Sequence, residues 1–187
     1  MTSAEETEVK LRVAEERSAC ERIRAAGFEI SVPRMFEANT LYDTEDGALL
    51  RSGMLLRLRQ AGEREVMTWK GRVVPGPHKS RPELETSVGS LRTVAQILGQ
   101  LGYQPTFRYE KFRTEFRAAQ GEGVVVLDET PIGIYLELEG PGEWIDETAR
   151  KLGFSRTDYV LESYGALYRN YCAEQGVKPG DMTFASL

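Results

Sequence analysis

Six segments of this 187-residue chain carry charged residues at every second position, and that habit restricts the fold more than any other feature. In extended backbone, successive side chains point to opposite faces. Glu6-Thr7-Glu8-Val9-Lys10 therefore sets Glu6, Glu8 and Lys10 on one face, with Thr7, Val9 and Leu11 on the other. Arg57 and Arg59 share a face against Leu56 and Leu58, and Lys70 lies opposite Met67 and Trp69. The same alternation gathers Arg81, Glu83 and Glu85, then Lys111 and Arg113 with Tyr109 and Glu115, then Glu137 and Glu139 with Tyr135. Asp128 alternates with Val124 and Val126 in the same way. One such strand is an ordinary solvated edge, because exposed ion pairs contribute little. Six in one chain ask for a common explanation.

Taken in order, residues 4–13 read as a strand and Glu15 to Ala26 as a helix that stops at Gly27. Phe28 to Thr44 is mostly extended with a break at Pro33, and Asp46-Gly47 signals a turn. Met54 to Gln60 and Arg64 to Gly71 form a hairpin about Ala61-Gly62. A loop from Val73 to Ser80 precedes the strand that begins at Arg81. Ser90 can cap a helix reaching Leu101, since Leu91, Val94, Ala95, Leu98 and Leu101 keep the 3.6-residue period. Tyr103 to Arg117 is a long strand, followed by a hairpin of Gly121–Glu129 and Ile132–Gly140 around Thr130-Pro131. Helices are expected over Trp144–Leu152 and Leu161–Ala173, the second with Tyr164, Leu167, Tyr168 and Tyr171 as a packing stripe. The tail from about residue 176 reads as irregular.

Antiparallel strands dominate this order, so the class is α+β. About eight strands in one sheet tend to curl or close. The expected architecture is a single domain over residues 1–187: an eight-stranded antiparallel β-barrel tunnel with helices packed outside. The apolar faces, carrying Val9, Leu11, Leu56, Leu58, Trp69, Leu84, Leu136 and Leu138, would then lie under the helices. The charged faces would line the interior.

Composition narrows the function. Hydrophobic residues make up 41%, enough for a core. The formal net charge of −5 argues against a bulk nucleic-acid binder, whose footprint is basic. The apolar runs are too short for a membrane span, and no secretory signal is legible, so a cytoplasmic location is expected. Cys20 and Cys172 lack CxxC spacing and read as reduced, buried thiols. His78 is the single histidine and sits in a loop, which leaves no His-based metal site and disfavours a His-dependent hydrolase. There is no GxxxxGK[ST] or GxGxxG phosphate loop, so any phosphate must be held by side chains.

A tunnel lined with both signs of charge cannot be dry, because an uncompensated buried ion costs several kcal/mol. Paired carboxylates suit hard divalent cations, and arginine forks and lysines suit phosphate oxygens. Together they suit a phosphate chain carrying metal ions, whose transfer chemistry rests on positioning and charge neutralisation.

The ordered set Glu6-x-Glu8-x-Lys10, Arg57-x-Arg59, Lys70, Glu83-x-Glu85, Lys111-x-Arg113 and Glu137-x-Glu139 resembles the CYTH superfamily, also called triphosphate tunnel metalloenzymes, over roughly residues 5–170. The resemblance implies an enzyme dependent on Mg²⁺ or Mn²⁺ that acts on a small-molecule triphosphate. It implies phosphate contacts from Arg57, Arg59, Lys70, Arg81, Lys111 and Arg113, with Lys10 beside the reacting phosphate as a catalytic group. It implies metal binding by Glu6, Glu8, Glu137 and Glu139, with Glu83, Glu85 and Asp128 as further ligands. Hydrolysis of tripolyphosphate, thiamine triphosphate or a nucleoside triphosphate is the leading expectation. A class IV adenylate cyclase and a non-catalytic polyphosphate- or nucleotide-binding module are the alternatives. No nucleic-acid or membrane partner is expected, and a homodimer is possible.

Overall fold

The computed structural model describes residues 4–186. Eight antiparallel strands close into a barrel in the order β1-β5-β4-β3-β2-β6-β7-β8, with β8 paired back onto β1. The strands are β1 Ala4–Val13, β2 Phe28–Thr44, β3 Leu55–Ala61, β4 Arg64–Lys70, β5 Lys79–Ser87, β6 Tyr103–Ala118, β7 Val124–Thr130 and β8 Gly133–Glu139. The helices are α1 Glu16–Ala25, α2 Ala48–Arg51, α3 Leu91–Gln100, α4 Gly142–Lys151 and α5 Tyr164–Gln175. Closure removes the free edges that an open sheet of this size would expose.

The alternation read from the sequence sets which face is inside. Val9, Leu11, Leu136, Leu138, Val125 and Leu127 point outward and are buried under α1 and α4, through Ala19, Ile23, Ile145 and Ala149. Leu56 and Leu58 pack outward against Leu98 of α3. That helix packs mainly on β3, β4 and β6, and Leu84 of β5, expected to be covered, stays 50% exposed.

Several local expectations change. β2 runs through Pro33 without ending; its pairing with β6 slips on either side of Val32, and such a bulge accommodates a residue that cannot donate to the ladder. A short helix, α2, follows β2 where only a turn was expected. Asp43 holds it by accepting from the backbone N–H groups of Leu49 and Leu50, at 2.8 and 2.9 Å. The last helix begins at Tyr164 rather than Leu161, because Ser163 caps it by accepting from the Ala166 N–H. The C-terminal segment is not simply irregular. β7 pairs with β6 only over residues 112–116, which leaves the edge at 108–110 free. Met182 fills it, donating to Arg108 O at 2.9 Å and accepting from Glu110 N at 2.9 Å, and its own side chain is fully buried.

Candidate active site

The registers bring the charged positions together as one continuous interior wall. Lys10 is level with Glu137 across β1 and β8, and Arg113 with Asp128 across β6 and β7. Glu37 pairs with Lys111, Asn39 with Arg59, Lys70 with Glu83, and Glu6 with Arg81. Of these, Glu6, Lys10, Arg59, Lys70, Arg81, Glu83, Lys111, Arg113 and Glu137 line a cavity of about 1300 Å³, with Glu37, Asn39 and Asp128 buried behind them.

At its centre, Lys10 Nζ lies 3.0 Å from Glu8 and 3.1 Å from Glu137. Burial alone would lower the Lys10 pKa, but the two carboxylates outweigh it and raise it well above that of a free lysine. Lys10 is therefore a fixed ammonium, a donor and not a base. Burial pushes the Glu8 and Glu137 carboxyls up; the neighbouring cations, Lys10 foremost, more than reverse this and hold both well below the usual range.

Glu139 completes a cluster in which Glu8, Glu137 and Glu139 each offer an oxygen within 4.8 Å of the others. Burial drives the Glu139 carboxyl up to about 7; Arg113 opposes this, and Glu137, Glu8 and Glu6 reinforce it. The donor set is all oxygen and the negative charge is crowded, which fits a hard divalent cation.

Asp128 is fully buried. It accepts from Lys111 Nζ at 2.7 Å, from Arg113 Nε and Nη2 at 2.8 and 2.7 Å, and from the Tyr164 hydroxyl at 2.8 Å. Three of these bonds fall on Oδ2 and one on Oδ1. Arg113 also bonds Glu137, and its Nη1 lies 3.7 Å from Glu139.

On the adjoining wall, Lys70 Nζ bridges Glu6 at 2.5 Å and Glu83 at 3.0 Å, and Arg81 Nε lies 3.3 Å from Glu6. Arg57 contacts Thr68 at 3.1 Å, the Tyr109 hydroxyl at 3.4 Å and Glu85 at 3.7 Å. Glu85 is the most open of the candidate carboxylates that pair with a cation, its side chain 47% exposed. Arg59 donates to Asn39 at 3.0 Å. Burial would raise the Tyr109 phenol, but Arg57, Arg59 and Lys111 more than offset this and lower its pKa.

Five contributors were absent from the sequence assignment. Glu37 lies 3.4 Å from Arg59 and 3.6 Å from Lys111, and Asn39 accepts from Arg59. Both alternate along β2, a segment without an obvious charge run. Lys79, 2.5 Å from Glu8, is found by stepping the Arg81 alternation back by two residues. Tyr109 shares the Lys111 face. Tyr164 was read as packing, yet its hydroxyl reaches Asp128 inside the barrel, and Lys10 and Lys111 stand 5.2 and 5.3 Å from its ring centre. The helical spacing of its stripe gave no sign of this.

Arg57 Nε and Asn39 Nδ2 are buried donors, and Glu37 Oε2 a buried acceptor, with no hydrogen-bond partner among the described residues. Native interiors rarely leave such groups unpaired. The Arg57 and Arg59 guanidinium groups, which line the cavity, match a ligand rich in acceptor oxygens. His78 takes no part: its Nε2 lies 2.9 Å from Asp146 of α4, away from the cavity lining.

The family model described as CYTH domain matches residues 4–164. A Methanocaldococcus jannaschii protein provisionally named an adenylate cyclase is 23% identical over 169 residues, covering 85% of this chain and 95% of that one. A Vibrio parahaemolyticus structure with the same provisional name has a TM-score of 0.76 at 21% identity, covering 89% of this chain and 98% of that one. A Hippeastrum structure, described as a provisionally named adenylyl cyclase with a dominant triphosphatase activity, has a TM-score of 0.63 at 18% identity, with coverages of 89% and 96%.

Proposed function

This chain belongs to the CYTH domain family, and from that premise we propose that it binds a linear triphosphate inside the barrel and hydrolyses it with a divalent cation, Mg²⁺ or Mn²⁺. The observation that carries this reading is the meeting of arginine and lysine forks with the Glu8, Glu137 and Glu139 cluster in one cavity.

Charge balance supports the metal. Lys10, Arg57, Arg59, Lys70, Lys79, Arg81, Lys111 and Arg113 face Glu6, Glu8, Glu37, Glu83, Glu85, Asp128, Glu137 and Glu139, eight of each sign. An interior already balanced offers a polyanion no net attraction, and its carboxylates repel the phosphates beside them unless cations arrive with the ligand. Glu8, Glu137 and Glu139 would hold such an ion, and Glu6, with Glu83, lies on the adjoining wall for a second. A bound ion supplies charge neutralisation at phosphate oxygens and lowers the pKa of a water molecule.

The remaining work falls to side chains of the chain. Arg57 and Arg59 grip terminal oxygens, with Asn39 orienting Arg59 by accepting from its Nε. Lys70, Arg81, Lys111 and Arg113 line the track. Asp128 aims Arg113 and Lys111, accepting from both at 2.7 to 2.8 Å. Lys10, held as an ammonium, donates toward the reacting phosphate and orients the attacking water. Hydrolysis ranks ahead of cyclisation because of the dominant triphosphatase activity described for the Hippeastrum relative. A binding module without chemistry would have little use for the carboxylate cluster.

Calorimetric titration with tripolyphosphate tests the premise. Binding should be at least tenfold tighter with Mg²⁺ than with EDTA, and should lose that gain in Glu8→Gln. Equal affinity under both conditions, with no turnover, would replace the enzyme with a binding module.

A further inference from the structure

His78 takes no direct part in the cavity, yet it adjoins a residue that does. Glu8 is the point where β1 changes partners: it is level with Lys79 of β5 on one side and with Glu139 of β8 on the other. Both neighbouring chains leave the barrel there. His78 immediately precedes Lys79, and Gly140 and Pro141 lead from Glu139 into α4.

Outside the barrel, Asp146 of α4 ties these chains together. Its Oδ1 accepts from His78 Nε2 at 2.9 Å and from the Tyr159 hydroxyl at 2.8 Å, and its Oδ2 accepts from Arg156. The bond from Arg156, with those from His78 and Tyr159, outweighs burial and holds the Asp146 carboxyl well below the usual range. An ionised carboxylate only accepts, so His78 Nε2 carries the proton. Gly142 leaves the space for the ring: a Cβ there would stand 2.9 Å from His78 Cε1. Tyr159 in turn precedes Val160, whose backbone exchanges hydrogen bonds with that of Lys10 at 3.0 and 2.9 Å. The hub therefore braces the wall on which the glutamate cluster stands.

Inside the barrel, Lys79 Nζ and Lys10 Nζ lie 2.5 and 3.0 Å from the same oxygen, Oε1 of Glu8. Two ammonium groups on one oxygen repel each other, and a lysine kept in one conformation gives up side-chain freedom. Lys79 is also the first residue of β5, so its backbone is fixed on one side by the sheet and on the other by whatever holds His78. A divalent cation at Glu8, Glu137 and Glu139 must work against the Lys79 charge. Resting on the cation site proposed above, we propose that His78 is a positioning residue: bound to Asp146 over Gly142, it holds Lys79 on Glu8 as a built-in counter-ion that the divalent cation has to displace.

Calorimetric titration of the full chain with Mn²⁺, without substrate, tests this. His78→Ala removes the tie. Gly142→Ala keeps His78 but drives its ring off Asp146, from a helical position with no left-handed backbone requirement. Each should tighten Mn²⁺ binding at least threefold, because Lys79 is no longer pinned to Glu8. His78→Gln, whose amide can donate to Asp146 in the same way, should stay within twofold of the parent protein. In a Lys79→Met background, His78→Ala and Gly142→Ala should have no further effect. Thermal melts confirm folding of each variant. A tie that served stability alone would leave Mn²⁺ binding unchanged or weaken it, and either result in the folded variants would overturn the proposal, as would an equal gain with and without Lys79. A parent protein that takes up no Mn²⁺ would remove the cation reading itself, and this proposal with it.

Discussion

Replacing Asp128 by asparagine tests whether the interior charges are held as one network. The substitution keeps the shape and removes one negative charge from a side chain that is fully buried and accepts four bonds from Lys111, Arg113 and Tyr164. An asparagine also turns an NH₂ group toward donors, leaving at least one bond unmade. Breaking a buried ion pair by deleting one partner costs about 3–5 kcal/mol. Arg113 keeps Glu137 and Lys111 keeps Glu37, which favours the lower end of that range. For a domain of this size, each kcal/mol shifts Tm by about 2–4 °C, so a fall of about 6–12 °C is expected. Urea unfolding followed by the fluorescence of Trp69 and Trp144 gives the free energy directly. A loss below about 1 kcal/mol would mean that Lys111 and Arg113 do not depend on Asp128, and the network account would fail.

Three further outcomes follow from single contacts. The Glu37 carboxyl is held at about 2 against an ordinary 4.5: burial raises it, but Lys111, Arg113, Arg59 and Arg57 more than offset this. A depressed folded pKa gives stability that is complete above pH 4.5 and lost as pH falls toward 2, here about 3 kcal/mol. Urea titrations at pH 6 and pH 2.5 should therefore show a smaller acid loss in Glu37→Gln than in the parent protein, and equal losses would sink the assignment. Lys79 shares the Glu8 oxygen with Lys10, so Lys79→Met, which removes a buried positive charge beside the ion, should tighten Mn²⁺ binding at least tenfold by calorimetry; unchanged or weaker binding would place the ion elsewhere. Gly123→Ala would bring a Cβ to 2.4 Å from the Trp144 ring, and overpacking of that kind should cost about 1–3 kcal/mol or more, with a neutral result contradicting the packing of α4 on the barrel.

Most of the barrel was legible because a two-residue period leaves no freedom about which face is inside. Once Val9, Leu136 and Leu58 must be covered, Lys10, Glu137 and Arg57 must face inward, and the structure places them so. β2 was harder to read. Its Glu37 and Asn39 do alternate, but in a 17-residue strand with a bulge near Pro33 and no run of charges on their face to mark it. Tyr164 was obscured by a different effect. Its stripe has helical spacing, which reports a packed face, but not that the first residue of the helix enters the barrel to meet Asp128. The docking of Met182 depends on an unpaired stretch of β6, a consequence of β7 being the shorter strand, and no local pattern in the tail encodes that.

The central claim is that the glutamate cluster and a divalent cation act together on a triphosphate. Glu137 is a poor probe because it also holds Lys10 and Arg113, so its loss would cost stability. Glu139 has a more open side chain, 28% exposed, with one long contact to Arg113. Phosphate release and nucleotide products should be followed with tripolyphosphate and ATP as substrates, in Mg²⁺ and in EDTA, for the parent protein and for Glu139→Gln. The expected result is turnover only with Mg²⁺, with release of phosphate or pyrophosphate by hydrolysis, and a fall of at least a hundredfold in Glu139→Gln while its Tm stays within a few degrees. Undiminished turnover by Glu139→Gln, or by the parent protein in EDTA, would contradict it.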